Sequence, residues 1–316
     1  MSIHGDRERT TVLAAPTGAA TAMRRRRRYR GRHRKDRTLP LGSVVIAASA
    51  AAGVYLTAAP GGASAADVTV YVSTTGSDSA SGGRGAPYRT LEKALEVAEE
   101  GTTIEVRGGT YRPAATLRTG ADGTPGNRIV LKAYGSEKVV VDGGRLAADS
   151  SLLELRGDYW TVSGIEFRNS PANAVVCTSC TGDVFEQLSA YSNGGTGLVL
   201  RGAGTRYNVV RDVDAYGNRD PASGGRFADG IAFGSGSGEG NVVTGARLYG
   251  NADDGLDLRS WPDPVTVEHS WASRNGDVGA DLGTFAVSRG NIWDAGVNVP
   301  SAVATDGAGA TRAPMR

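Results

Sequence analysis

From about residue 160 the chain repeats, and this repeat restricts the fold more than any other feature. Aligned on the Asn that closes each apolar run, the copies fall at Asn169, Asn193, Asn218, Asn251 and Asn275, spaced by 24, 25, 33 and 24 residues. Four residues after these stand Asn173, Gly197, Gly255 and Gly279, and Gly230 takes the same place after Asn218 once eight extra residues are discounted. Gly and Asn tolerate positive φ, so each is expected to mark the same corner. Short apolar runs follow at residues 174–176, 198–200, 231–233, 256–258 and 280–282. Their outer positions can face inward while the middle one faces out. Phe167, Tyr191, Tyr216 and Tyr249, two residues before an Asn, are expected to form an aromatic column.

A period near 24 with short β runs and Gly/Asn corners indicates a solenoid. The Leu-x-x-Leu-x-Leu pattern of leucine-rich repeats is missing. The reading is therefore all-β, a parallel β-helix in which successive coils pair through the main chain at about 4.8 Å. The Asn column is expected to satisfy corner main-chain groups and stack as a ladder. The 33-residue spacing holds eight extra residues, placed between Asn218 and Gly230. Solenoid insertions become loops on one face, often the binding face. Upstream, residues 90–98 predict a short amphipathic helix with Leu91, Ala94, Leu95 and Ala98 on one face. Such a helix can cap the open N-terminal end of the core. Strands are expected at 68–72, 103–106, 129–133, 139–142 and 152–155. The β-helix domain is thus read as residues 66–282, with an irregular tail over 283–316.

Residues 1–65 read as a secretory leader. Arg24 to Arg28, Arg30, Arg32, Arg34, Lys35 and Arg37 form a basic n-region, residues 41–59 an apolar stretch, and Ala63-Ser64-Ala65 an A-x-A site. Nucleic-acid binding is the competing reading of the basic run, but the run abuts the export signal. Twelve of the 35 basic and three of the 33 acidic residues lie in this leader, so the rest carries 23 against 30, a net −7. An acidic secreted monomer of this kind suits cations better than nucleic acid, and no stable membrane association is expected after leader removal. Cys177 and Cys180 can form a local disulfide outside the cell.

Carboxylates recur in register along the repeat. Asp229 and Asp254 each precede a corner Gly, Asp253 and Asp277 share the position before that, and Asp257 and Asp281 share the middle of the strand. Stacking brings four to six carboxylates within about 10 Å. Such a cluster is repulsive unless its pKa values rise or a cation sits in it. An oxygen-only donor set suits Ca²⁺. Zinc is disfavoured, because His269 is the one His after the leader and no Cys is near.

From Tyr71 through Asn275 the chain resembles the pectate lyases of polysaccharide lyase family nine. The Ala228-Asp229-Gly230 motif followed by Asp253-Asp254-Gly255-Leu256-Asp257 carries the resemblance; the early Pro87-Tyr88-Arg89-Thr90-Leu91 segment is weaker. The resemblance implies a right-handed parallel β-helix and secreted, Ca²⁺-dependent β-elimination of polygalacturonate. It makes Asp229, Asp253, Asp254 and Asp257 the Ca²⁺ ligands. Arg259 and Arg274 are expected to bind uronate carboxylates of the substrate. The family's base is a Lys in Gly-Asn-Gly-Phe-Lys-Leu-Gly-Gly, whereas this chain has no Lys after Lys138 and reads Gly290-Asn291-Ile292-Trp293-Asp294 at the expected place. The resemblance therefore implies weak or no lyase activity, and a truncated or frame-shifted C-terminus or a diverged cap. Two other functions fit the residues: a non-catalytic, Ca²⁺-dependent uronate-binding β-helix, and a polygalacturonase-type hydrolase, whose Gly-His-Gly and Arg-Ile-Lys segments are missing. If the leader reading holds, N-terminal sequencing of the exported protein begins at Ala66; a mature chain that keeps the Arg-rich run refutes it.

Overall fold

A computed structural model describes residues 68–284 and 286–293, and the backbone of Val297–Asn298 and Ala304–Thr305. The expected leader, residues 1–65, lies outside the described residues. The chain winds through three parallel sheets of ten, eight and eight strands; apart from the first pair, Thr69–Val72 with Thr103–Val106, each strand pairs with those three places before and after it. That is a parallel β-helix with one sheet strand per side per coil. The first sheet opens with Thr69–Val72, the second with Gly109–Tyr111 and the third with Leu117–Arg118.

Alternation builds the core. Val162, Phe185, Val210, Val243 and Val267 pair in register along the first sheet and are fully buried. In the third sheet Leu198, Ile231, Leu256 and Ala280 do the same. Each such large aliphatic contributes roughly 1.5–3 kcal/mol by burial. The helix α1 (Leu91–Glu96) covers the N-terminal end as expected, with Leu91, Ala94 and Leu95 buried. The Thr90 side chain accepts from the Lys93 N–H and caps its start. The helix stops at Glu96, short of Ala98, which is still buried.

The ladder exists, with one rung displaced. Asn218 Oδ1 accepts from Asn193 N and Nδ2, and Asn218 Nδ2 donates to Ala190 O and to Asn251 Oδ1. Asn251 is bound to Asn275 in the same way. The first rung is Ser170, whose N–H reaches Asn193 Oδ1 at 3.0 Å, and not Asn169. Asn169 instead occupies the left-handed position before the rung, with Ser192, Gly217, Gly250 and Arg274 above it. The early alignment therefore slips by one: Val175, not Ala174, pairs with Leu198. For the same reason Phe167 pairs with Ala190 and points into the core rather than joining the aromatic column. Tyr191, Tyr216 and Tyr249 do stack, with centroids 4.9 and 4.8 Å apart, and Trp271 follows at a tilt.

The corner glycines are needed for space, not for positive φ. A Cβ on Gly230 would meet the Gly255 carbonyl oxygen at 2.6 Å and the Asn251 amide nitrogen at 3.0 Å. Coil pairing also passes the expected boundary at Leu282: Val287–Arg289 pairs with Val265–Glu268, and Ile292–Trp293 with Trp271–Ser273. These strands are too short for a period to show in sequence. Removing a central rung strands several buried polar groups at once. Asn218→Ala is thus expected to lose about 3 kcal/mol in equilibrium urea unfolding. A loss below about 1 kcal/mol, an ordinary single hydrogen bond, rules out the ladder as a main support.

Candidate metal centre

The acidic residues lie at the corner between the second and third sheets, after Arg247–Tyr249 and around Leu256–Asp257. A second side-chain column is built there, one position before the glycines. Asn173 Oδ1 accepts from Thr196 N, Thr196 Oγ1 from Asp229 N, Asp229 Oδ1 from Asp254 N, and Asp254 Oδ1 from Val278 N. Each of these side chains caps an N–H of the next coil. Where the column turns acidic, one carboxylate oxygen does the capping; the other accepts from the Thr196 hydroxyl at 3.1 Å in Asp229 and has no hydrogen-bond partner in Asp254.

Oxygen atoms of Asp229, Asp254 and Asp257 lie within 4.8 Å of one another, as do those of Asp253, Asp254 and Asp277. Asp254 belongs to both groups. It is 1% exposed, and its Oδ2 has no hydrogen-bond partner. An orphaned carboxylate oxygen among other carboxylates is costly without a cation. An all-oxygen donor set with an unpaired inward oxygen fits Ca²⁺. Asp281 lies in register with Asp257, alternating with the buried Ala280 and Leu282; it is itself buried and stands outside both groups.

Burial is the largest cause of the electrostatic strain. It pushes Asp229 up to about 7, helped by Asp257 and Asp253. It pushes Asp254 up to about 6, with Asp253, Asp257 and Asp277 adding to it. Asp253 is also raised by burial, although Arg259 and Arg226 oppose the shift. Arg259 donates its N–H to Asp257 Oδ1 at 2.8 Å and its Nη2 to Asp257 Oδ2 at 3.1 Å. Arg259, Arg226, Phe227 and the carboxylates of Asp229, Asp253, Asp257 and Asp277 line a cleft of about 520 Å³. The structure therefore brings Arg259 to the site. Arg274 stands at the left-handed corner position near Tyr249 and is not among the cleft residues.

The next coils put Asp281 and then Asn298 in register with Asp257. Ile292–Trp293, inside the segment at the expected place of the Lys, belongs to the second sheet. Sequence reasoning missed Thr196, Arg226 and Phe227. The last two sit in the eight-residue insertion, which was the signal for a loop but not for its orientation.

Residues 70–291 match the family model described as Pel9A-like, right handed beta helix region. The chain belongs to this family. Pectate lyase PEL9 of Emericella nidulans is 39% identical over 209 residues, covering 62% of this chain and 50% of that protein. Pectate lyase L of Dickeya chrysanthemi is 32% identical over 216 residues, covering 65% and 50%. The chain thus spans about half the length of the curated relatives it matches. The crystal structure of pectate lyase Pel9A superposes with a TM-score of 0.63 at 28% identity, over 71% of this chain and 62% of that one. A rhamnogalacturonan lyase shares the fold, with a TM-score of 0.62 at 21% identity. Membership in the Pel9A-like family makes the β-helix right-handed.

The raised carboxylates give a signed expectation. Asp229 and Asp254 hold protons more tightly folded than unfolded, where a carboxyl titrates near ~3.9. In the metal-free protein this stabilisation is complete below that value and is lost as pH rises through about 6 and about 7. A cation competes with those protons, so Ca²⁺ is expected to raise the thermal midpoint more at about pH 8 than at about pH 5. Equal stabilisation at both values counts against a carboxylate metal centre.

Proposed function

We propose that this protein is a secreted, calcium-dependent binder of polygalacturonate built on the pectate lyase framework, with little or no β-elimination activity of its own. The observation that carries the reading is the unpartnered, buried Asp254 Oδ2 inside a cluster of four further carboxylates. Asp229, Asp253, Asp254 and Asp257 are the residues that hold the ion. When bound there, calcium would supply Lewis-acid charge withdrawal from a uronate carboxylate, which would acidify the C5 proton of the sugar. An acidic protein can bind an acidic polymer in this way. The names of the relatives, pectate lyases from a fungus and a bacterium, support the substrate class.

The protein's own groups supply orientation more readily than proton abstraction. Arg259 is tied to Asp257, whose charge holds the guanidinium above its usual range, so it stays a cation and pairs with uronate. Asp281 and then Asn298 follow Asp257 in register on the next coils. Export is supported by the sequence of the leader and by the disulfide between Cys177 and Cys180. Among the described residues no helix is long and apolar enough to cross a membrane.

A polygalacturonate assay separates the readings. Retention in a polygalacturonate gel is expected with Ca²⁺ and is lost with EDTA, while ultraviolet absorbance from the conjugated elimination product stays near background. Asp254→Asn keeps the Val278 cap but removes the charge, and is expected to abolish Ca²⁺ binding and retention together. Retention that survives both EDTA and Asp254→Asn excludes the calcium bridge, and strong product absorbance excludes a mere binder.

A further inference from the structure

The insertion beside the acid cleft presents a side chain that the fold does not use. Phe227 is 70% exposed. Its φ of 93° is a conformation that a bulky residue adopts only at a cost. The loop holding it is nevertheless fixed on both sides. Phe227 N donates to Asp253 Oδ2 at 3.1 Å, and Phe227 O accepts from Thr196 Oγ1 at 3.0 Å. Gly225 N donates to Asp220 O at 2.7 Å, and Gly225 sits so close to the next coil that a Cβ would lie 3.1 Å from Ala252 Cβ. The Asp220 carboxylate closes the start of the loop on Ser223. A strained backbone fixed this firmly, with its aromatic ring turned to solvent at the rim of a charged cleft, is not explained by packing. Tyr207, another exposed aromatic, differs: its hydroxyl donates to Glu239 and it lines no part of the cleft.

We propose that Phe227 is the platform of a sugar-stacking subsite. One pyranose ring of a uronate chain lies with its C–H face on the phenyl ring. The carboxylates of adjoining sugars meet the aspartate-held ion and the guanidinium groups of Arg226 and Arg259. An aromatic face offers apolar area and a partial negative charge that attracts C–H groups. The ring carries no formal charge, so it can receive the apolar face of a polyanion where a carboxylate cannot. Because the loop is already ordered, little freedom is lost on binding. The inference rests on the polyuronate reading above.

The test uses the full chain and three variants: Phe227→Ala, Phe227→Asn, which accepts the left-handed backbone, and Phe227→Trp. Ca²⁺ affinity, thermal midpoint and retention in a polygalacturonate gel are measured for each. The Ala and Asn variants are expected to keep Ca²⁺ affinity, to keep or raise the midpoint, and to lose about three- to tenfold in retention. The Trp variant is expected to bind like the parent, and its fluorescence to change when oligogalacturonate is added. A parent that is retained while the Ala variant is retained equally, or an Ala variant with a lowered midpoint, overturns the subsite and leaves the polyuronate reading standing. A parent that is not retained with Ca²⁺ overturns both.

Discussion

The structure depends on in-register pairing between consecutive coils. A coil separation of about 4.8 Å puts every residue directly over its counterpart. Stacked like residues are favourable when they are apolar, as with Leu198, Ile231 and Leu256. They are favourable when they can both donate and accept, as with the Asn193–Asn218–Asn251–Asn275 ladder. They are favourable when they are flat, as with the three tyrosines. Stacked carboxylates alone are repulsive, and the fold places them where that repulsion can be used.

The corner column shows how the site is attached to the scaffold. From Asn173 to Thr196 to Asp229 to Asp254, each side chain caps an N–H of the next coil. Replacing the neutral members by aspartate keeps that structural role and adds charge. One oxygen holds the backbone, and at Asp254 the second has no hydrogen-bond partner. The donor geometry is therefore as rigid as the sheet itself, which is the preorganisation that a cation site requires. The same rigidity reaches Phe227, because Asp253 and Thr196 hold its loop from either side.

The repeat was legible because a solenoid converts sequence period into spatial neighbourhood. The Asp229, Asp253, Asp254 and Asp257 grouping could be read that way; the oxygen triples at the corner gather these four together with Asp277. The misreadings had one origin. Spacing counts residues but does not say which residue of a corner is the rung. Asn169 and Asn193 are separated by the same 24 residues as Asn251 and Asn275, yet Ser170 is the rung. The glycine column was explained by φ, while its reason is the carbonyl of the next coil. Arg274 is near the acids in sequence, but it follows the second sheet and stands by Tyr249.

The sequence by itself determined the coil period, the inward apolar columns and the acidic register, since each follows from residue type and spacing along one chain. Tertiary structure alone decided which carboxylate oxygen is orphaned, that Asp281 is buried in the Asp257 column, and that the insertion turns Phe227 toward the cleft. These depend on hydrogen bonds between residues about 25 to 33 positions apart. Their geometry is set only when one coil has closed upon the next.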